Sequence, residues 1–197
     1  TNHVVFEGAT VPVVVANDGV NVQGQFTLGA SSGTNAHLGP GDLNGDGWDD
    51  VLIARQEDIG YWDGATNFWY AGNDHGWTSW QSVFDGDASS SCGFVLEAAD
   101  YDDDGIPDIA IGCPGGTYRE GIVYVMSGAD FAAGGVLTAA DAIFTFRGLG
   151  TVIDNFGPPI GDGTGNSLAA GDYNGDGLPD LAVGAVQAGL IYVVLHP

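Results

Sequence analysis

Three short segments of the chain carry oxygen-bearing side chains at one repeated spacing. They are DLNGDGWDD at 42–50, DYDDDGIPD at 100–108 and DYNGDGLPD at 172–180. Each has Asp or Asn at positions one, three, five and nine, and a glycine at position six that makes the sharp turn possible. Calcium binds six to eight oxygen atoms at about 2.3–2.6 Å. The spacing therefore predicts three calcium loops.

The predicted ligands of each loop are four side chains and the backbone carbonyl of position seven. They are Asp42, Asn44, Asp46, Asp50 and the Trp48 carbonyl; Asp100, Asp102, Asp104, Asp108 and the Ile106 carbonyl; and Asp172, Asn174, Asp176, Asp180 and the Leu178 carbonyl. Because the same loop occurs in every repeat, we expect the three Ca²⁺ ions of the chain to be structural.

The loops have two other interpretations. An EF-hand needs a glutamate at position twelve and a helix on each side. Position twelve is Ile53, Ile111 or Val183 here, and short alternating apolar segments follow, so the EF-hand is rejected. A solvated acidic turn is the simpler alternative, but three copies with the same spacing favour the metal.

The composition indicates an all-β protein that is rich in turns. The 197 residues include 34 glycines, only three basic residues (Arg55, Arg119 and Arg147) and a formal charge of −23. That charge would repel nucleic acid and anionic membranes, which argues against both as partners. No apolar run approaches the roughly 20 residues that span a bilayer. The sequence also shows no signal peptide, as expected of a mature or excised segment.

The two cysteines, Cys92 and Cys113, flank the second loop. If the strands on either side pair antiparallel, the two side chains come close enough for a disulfide; two buried free thiols are the alternative. A disulfide and millimolar calcium would both fit a secreted, extracellular protein.

A series of short strands follows each loop. The strand directly after each loop is at 50–54, 108–112 or 180–184, and an aromatic or aliphatic strand then begins at Ile59, Gly121 or Gly189. A third element ends in the pattern FxG at 84–86 and 146–148. Together with the strand that enters each loop, the series predicts three four-stranded antiparallel units in a single domain over residues 1–197.

The third unit lacks an FxG strand within the sequence, whereas HVVFEG at 3–8 carries that pattern at the opposite end. We therefore predict that the N-terminal strand completes the last sheet, as in the closure of a β-propeller. Three blades are too few to surround an axis. Either two chains exchange N-terminal strands to form a six-bladed homodimer, which we favour, or the chain is a piece of a longer propeller.

Two further segments lie outside the repeated strands. The Asp18-Gly19 pair stands between two apolar runs and predicts a turn of an extra hairpin or the entry to the first blade. The segment 149–166 is rich in Gly, Pro and Asp and predicts a surface loop.

Residues 154–185, DNFGPPIGDGTGNSLAAGDYNGDGLPDLAVGA, resemble the FG-GAP repeat of integrin α-subunit propellers and their bacterial relatives. Phe156-Gly157 matches the FG of the family, and Gly184-Ala185 matches the start of GAP. The resemblance implies a β-propeller with structural calcium between the first two strands of each blade. It also implies a role in adhesion or ligand recognition, and some relatives are lectins or accessory domains of polysaccharide-degrading enzymes.

No catalytic residues are assigned. The four histidines, His3, His37, His75 and His196, share no metal-ligand spacing, and no nucleophile motif is present. The best binding candidates are aromatic residues between 61 and 80, beside amide and carboxylate groups that suit sugar rings. They are Tyr61, Trp62, Trp69, Tyr70, Trp77 and Trp80. Filling the core between blades, or a subunit interface, is the alternative role of these rings.

We therefore expect a non-enzymatic, secreted, calcium-stabilised module for adhesion or recognition, with an extracellular protein or a glycan as its ligand. The alternative is a polysaccharide lyase or hydrolase, or its accessory domain, that acts on a propeller face. A purely structural assembly unit is the third possibility.

Overall fold

The structure is a computed structural model, and it describes residues 11–17, 20–26, 32–45, 50–57, 66–70, 82–85, 91–115, 120–152 and 160–196. Strands dominate this part of the chain, as the composition predicts. The elements are β1 (Val11–Asn17), β2 (Val20–Phe26), β3 (Ser32–Gly41), β4 (Asp50–Glu57), β5 (Thr66–Tyr70), β6 (Ser82–Asp85), β7 (Val95–Ala99), β8 (Asp108–Cys113), β9 (Ile122–Met126), α1 (Gly128–Ala133), β10 (Gly135–Thr138), β11 (Phe144–Arg147), β12 (Thr151–Val152), β13 (Ile160–Gly161), β14 (Thr164–Gly171), β15 (Asp180–Ala185) and β16 (Leu190–Val194).

Three sheets hold the repeated strands. The first sheet has the order β10-β6-β5-β4-β3, the second β11-β9-β8-β7 and the third β14-β15-β16. Within each repeat the strands pair antiparallel, with the calcium-loop segment between the first two. The prediction of four-stranded antiparallel units is confirmed in the second sheet. The third sheet has three strands among the described residues, and the predicted fourth strand at 3–8 lies outside them.

The third strand of the first repeat differs from the prediction. It is β5 at Thr66–Tyr70, whereas the sequence predicts a strand that begins at Ile59. The strand β4 pairs with β3 on one edge and with β5 on the other, so both of its edges are occupied. The segment 58–65 lies outside the described residues.

Of the two predictions for segments outside the repeats, one is confirmed and one is wrong. The extra hairpin is confirmed, because β1 pairs with β2 along its whole length in a sheet of two strands. The prediction of a continuous surface loop at 149–166 is wrong. It contains β12 and β13, which pair with each other, and the first residues of β14.

An element that the sequence analysis did not predict joins the first two sheets. After β9, the chain forms the short helix α1 and then β10, which runs parallel to β6 at the edge of the first sheet. The side chain of Phe131 in α1 is fully buried in the core between these sheets. The second repeat therefore contributes a strand to the first sheet.

Two hydrophobic clusters hold the three sheets together. The first cluster lies between the first and second sheets and includes Leu52, Ile111 and Tyr124. The second cluster lies between the second and third sheets and includes Val123 and Val183. Every residue of β8 and β9 is buried, because the second sheet is covered on both faces. No helix among the described residues has the length and apolar character needed to cross a membrane.

A disulfide joins Cys92 to Cys113. Cys92 precedes β7 and Cys113 ends β8, and these strands pair antiparallel, with Val95 opposite Gly112. Both cysteines are fully buried in the first cluster. The bond therefore fixes the end of the second sheet that lies away from its calcium loop.

The second and third sheets approach closely at Gly112, Gly121 and Gly165. A methyl group at Gly112 would overlap the backbone carbonyl oxygen of Gly165 and a methyl group of Val95. At Gly121 it would overlap the backbone of Thr164, which is bridged to Gly121. Backbone atoms cannot move away as a flexible side chain could, so these glycines are required by contact between sheets.

We expect Gly112→Ala to lower the free energy of unfolding by about 1–3 kcal/mol, the usual cost of overpacking. Gly39→Ala is the matched control, because the nearest atom to its added methyl group would be the Asp50 carbonyl oxygen at 4.0 Å. Urea unfolding followed by tryptophan fluorescence measures both variants. Equal stability of the two would contradict the close approach of the sheets.

Candidate calcium loops

The ninth residue of each loop is a buried aspartate that binds its own loop. Asp50, Asp108 and Asp180 are each 0% exposed. Their Oδ2 atoms accept hydrogen bonds from the backbone N–H of position two: Leu43 at 2.8 Å, Tyr101 at 2.7 Å and Tyr173 at 2.8 Å. The same contact in three loops shows that the repeated spacing produces a repeated geometry.

The other oxygen of this aspartate reaches the far end of the sheet's third strand. Oδ1 of Asp108 accepts the backbone N–H of Gly128 at 3.1 Å, just after β9. Oδ1 of Asp180 accepts that of His196 at 2.8 Å, just after β16. One carboxylate therefore joins the loop, the start of the second strand and the end of the third.

The first aspartate of each loop organises the turn. Oδ1 of Asp42 accepts the N–H of Gly45 at 2.8 Å, and Oδ1 of Asp172 accepts that of Gly175 at 2.6 Å. Oδ2 of Asp100 accepts the N–H of Gly105 at 2.9 Å. These bonds direct the carboxylates towards the interior of the turn, which is the orientation a bound cation needs.

The loop glycines have the backbone conformation that the turn requires. Position six has a positive φ in the two loops that are fully described, +86° at Gly105 and +90° at Gly177. Position four is also left-handed, at Gly45, Asp103 and Gly175. An aspartate tolerates this conformation better than most residues with a side chain.

Three carboxylates converge in the second loop. One ligand atom from each of Asp100, Asp102 and Asp108 lies within 4.8 Å of the others. Asp104 belongs to the same loop and accepts the N–H of Ile106 at 2.7 Å. The donor set consists of hard oxygen atoms, as calcium prefers, and its size suits a single ion. The second loop therefore fits the cation that its spacing predicts.

The electrostatics of the second loop also favour a cation. Burial raises the pKa of Asp108 to about 6, against the hydrogen bonds from Gly128 and Tyr101, which lower it. Burial and the charge of Asp104 raise the pKa of Asp102. Neighbouring carboxylates that raise one another's pKa are costly to ionise together. A divalent ion among them would remove that cost.

The third loop has the same backbone contacts with one amide in place of a carboxylate. Asn174 Oδ1 accepts the N–H of Asp176 at 2.8 Å, and Asn174 Nδ2 donates to Asp176 Oδ2 at 2.7 Å. The pKa of Asp176 is lowered by the hydrogen bond from the Leu178 N–H and then by that from Asn174. This loop is therefore less crowded by charge than the second.

Several predicted residues cannot be compared with the structure. Asp46 and Trp48 of the first loop, and the aromatic candidates Tyr61, Trp62, Trp77 and Trp80, lie outside the described residues. Trp69 and Tyr70 lie on β5, in the middle of the first sheet. Their role in ligand binding stays a prediction.

A buried aspartate outside the loops was missed by the sequence analysis. Asp162 is 2% exposed and accepts hydrogen bonds from the Leu149 N–H, the Thr164 N–H, the Thr164 hydroxyl and the Tyr192 hydroxyl. It connects β14 and β16 to the segment after β11. All of its strong acceptor positions are used, so its role is structural. Its place between two glycines is the signal that could have marked it as a turn residue.

The ninth aspartate should stabilise the fold even without metal. We expect Asp108→Ala to cost at least about 3 kcal/mol in EDTA, because three backbone N–H groups lose their acceptor. Asp104→Ala, which removes an exposed contact of the same loop, should cost about 1 kcal/mol or less in EDTA.

Chemical unfolding of both variants in EDTA gives the comparison. If Asp108→Ala does not fold, Asp108→Asn retains one acceptor oxygen and should show an intermediate loss. Equal stability of Asp108→Ala and Asp104→Ala would contradict the structural role of the ninth position.

Two segments of the chain match known repeat families. Residues 164–194 match the FG-GAP repeat, and residues 42–111 match the FG-GAP-like repeat. The first match covers the third sheet and its loop. The second runs from the first loop through the second loop and into β8.

The chain is also similar to segments of larger curated proteins. It is 30% identical to integrin alpha-7 of Rattus norvegicus over 167 residues, which cover 79% of the chain and 13% of that protein. It is 32% identical to integrin alpha-6 of Gallus gallus over 158 residues, 74% of the chain and 13% of that protein. It is 37% identical to phosphatidylinositol-glycan-specific phospholipase D of Mus musculus over 101 residues, 49% of the chain and 11% of that protein. The chain thus spans only about an eighth of the length of the relatives it matches.

The match to the FG-GAP repeat covers part of the segment that resembles the family. The matched repeat begins at Thr164, so Phe156-Gly157 lies outside it. Gly165 and Gly93 stand seven residues before the first aspartate of their loops, and both have a positive φ, +87° and +77°. Gly165 and Gly93 therefore occupy equivalent places in their repeats. With its repeated loops, its antiparallel sheets and these matches, the chain is an FG-GAP, integrin-like repeat domain.

Proposed function

We propose that the chain is a calcium-stabilised, extracellular module for adhesion or recognition, built as part or all of a β-propeller. The observation that carries the proposal is the convergence of Asp100, Asp102 and Asp108 in a loop whose hydrogen bonds recur in the other repeats. A loop in every repeat serves the scaffold, since a ligand site would be expected only once. The similarity to integrin alpha-6 and alpha-7 supports the recognition role.

Calcium would act on the turns that connect the first two strands of each sheet. The Asp100, Asp102 and Asp108 carboxylates would hold it in the second loop, with Asp104 and the Ile106 carbonyl as further ligands. The metal would neutralise charges whose mutual repulsion strains the loop. The extracellular location is supported by the buried disulfide, since such bonds persist in oxidising surroundings.

The ligand of the module would be an extracellular protein or a glycan. The aromatic segment 61–80 is the candidate surface for a glycan, because aromatic rings beside amide and carboxylate groups suit sugar rings. A glycan array probed with the calcium-loaded chain, and with Trp77→Ala as its variant, tests this part. If the chain binds no glycan on the array, the lectin-like role is contradicted.

An enzymatic role has one observation in its favour, the similarity to a phospholipase D over half of the chain. The match covers 11% of that enzyme, so it concerns a segment and carries no activity to this chain. Release of new reducing or unsaturated ends from acidic polysaccharides would instead favour the lyase or hydrolase alternative.

We also propose that two chains exchange N-terminal strands to form a six-bladed homodimer. In the structure, the last antiparallel strand of one repeat precedes the next repeated sheet along the chain: β6 precedes β7, and β11 precedes β14 with the pair β12 and β13 between them. The FxG segment at 3–8 precedes the first sheet in the same way. It would therefore supply the outer strand of a preceding sheet, and β16 of a second copy ends at such an edge. The full chain should sediment as a dimer of about 40 kDa, twice the 20.1 kDa of one chain, and a monomer would contradict the exchange.

The calcium proposal is tested by thermal unfolding. A calcium concentration about 100 times the Kd of one site adds about 2.7 kcal/mol to the free energy of unfolding. For a chain of this size, that gain raises the Tm by about 5–10 °C above its value in EDTA. Magnesium at the same concentration should raise the Tm less, because it prefers a smaller octahedral site. An identical melting curve in calcium and EDTA would contradict the proposal.

A further inference from the structure

Two of the three loops carry the dipeptide Asn-Gly at positions three and four. The asparagine of each pair is exposed to solvent. Asparagine loses its side-chain amide most readily when glycine follows it, because glycine has no side chain to shield its backbone nitrogen. The pairs are Asn44-Gly45 in the first loop and Asn174-Gly175 in the third, whereas the second loop has Asp102-Asp103.

The geometry of the loop explains why this reactive pair occurs here. Position three offers an oxygen atom to a cation, and asparagine does so without adding a charge. Position four has a left-handed backbone in all three loops, with φ of +73° at Gly45, +61° at Asp103 and +82° at Gly175. Glycine adopts this conformation at the lowest steric cost. The two requirements together produce Asn-Gly in the first and third loops.

Loss of the amide needs only the chain and water. The backbone nitrogen of Gly175 loses its proton and attacks the side-chain carbonyl carbon of Asn174. A carbon–nitrogen bond forms, the side-chain nitrogen leaves as ammonia, and a succinimide ring remains. Water then adds to one of the two ring carbonyl carbons and opens the ring, which gives aspartate or isoaspartate. Nothing is oxidised or reduced in these steps.

The closed third loop holds the two reacting groups apart. The N–H of Gly175 donates to Asp172 Oδ1 at 2.6 Å, which fixes its nitrogen towards the interior of the turn. The Asn174 side chain is bound through both of its polar atoms, since Oδ1 accepts the N–H of Asp176 at 2.8 Å and Nδ2 donates to Asp176 Oδ2 at 2.7 Å. These bonds have to break before the side-chain carbon can meet the Gly175 nitrogen. Opening of the loop therefore permits the reaction.

The hydrogen bonds that close this loop are all exposed. Exposed loop hydrogen bonds belong to the part of a protein that opens locally at low free energy. A cation held by the carboxylates of the loop binds only the closed form, so it lowers the population of the open form.

We propose that Asn174 is a deamidation site that reacts when the third loop opens, and that a bound calcium ion protects it. Asn44 is the corresponding site of the first loop, where the N–H of Gly45 donates to Asp42 Oδ1 at 2.8 Å. The protection rests on the calcium binding proposed above, whereas the reaction itself does not. The second loop has no amide at position three and is not subject to this loss.

The two products differ in their effect on the loop. Aspartate at 174 gives the third loop the residue that the second loop has at position three, Asp102, which converges with the other carboxylates there. Isoaspartate instead carries the chain through its side-chain carbonyl, which adds a backbone atom between positions three and four and changes the spacing of the ligands. We expect Asn174→Asp to keep the calcium-dependent Tm and the isoaspartate form to lose calcium from this loop.

The test is peptide mapping by mass spectrometry after incubation of the full chain in heavy-oxygen water. Each succinimide that water opens takes up a heavy oxygen atom, so the label marks new deamidation at a given residue. In EDTA, residue 174 should be labelled faster than Asn166, which precedes Ser167 on β14. Calcium at about 100 times the Kd of the site lowers the population of the open loop about 100-fold, and labelling at 174 should slow by up to that factor.

The matched variant is Gly175→Asp, which gives the third loop the residue that the second loop has at position four, Asp103 at φ +61°. Its side chain shields the backbone nitrogen, so most of the label at 174 should be lost in EDTA. Label at 174 in this variant as fast as in wild type would overturn the attack by that nitrogen.

The outcomes separate this proposal from the calcium function. Labelling at 174 no faster than at Asn166 in EDTA overturns the deamidation site. Equal labelling at 174 in calcium and EDTA, when calcium raises the Tm, overturns the dependence on loop opening and leaves the calcium function standing. A Tm that calcium does not change contradicts the calcium function and the protection together, and faster labelling at 174 than at Asn166 then still supports the reactive site.

Discussion

The structure depends on the hydrogen bonds of a buried carboxylate at the start of the second strand of each of the three repeated sheets. Asp108 binds the N–H groups of its own loop with one oxygen and the N–H that follows the third strand with the other. Asp180 repeats this arrangement. Burying a charge is costly unless hydrogen bonds or a counter-ion compensate it. Its position therefore couples the folding of the loop, the pairing of the strands and the proposed binding of calcium.

The repeats also separate what serves the scaffold from what serves recognition. Loops, buried aspartates and apolar faces occur in each sheet, so they build a stack whose neighbours cover one another. The second sheet is covered on both faces, and the third is open on one. Recognition is better sought in the parts that occur once, above all the aromatic segment 61–80.

The sequence predicts the parts of this fold that local chemistry decides. The Asp and Gly spacing defines the loops, and the alternation after Asp108 and Asp180 defines β8 and β15, because each signal lies within about a dozen residues. The partner of β4 could not be found in this way, since the aromatic residues from 59 to 70 offer several strands and cross-strand pairing selects Thr66–Tyr70. The parallel pairing of β10 with β6 and the contact from Asp108 to Gly128 join distant residues, so only the tertiary structure reveals them.

We propose that every repeat holds a calcium ion as part of its scaffold. The most direct measurement is the calcium content of the folded chain, obtained by calorimetric titration of metal-free protein together with elemental analysis after dialysis. We expect three calcium ions per chain, and two for a chain in which Asp172 and Asp176 are replaced by alanine. A content of zero, or the same content in wild type and in that variant, would contradict it.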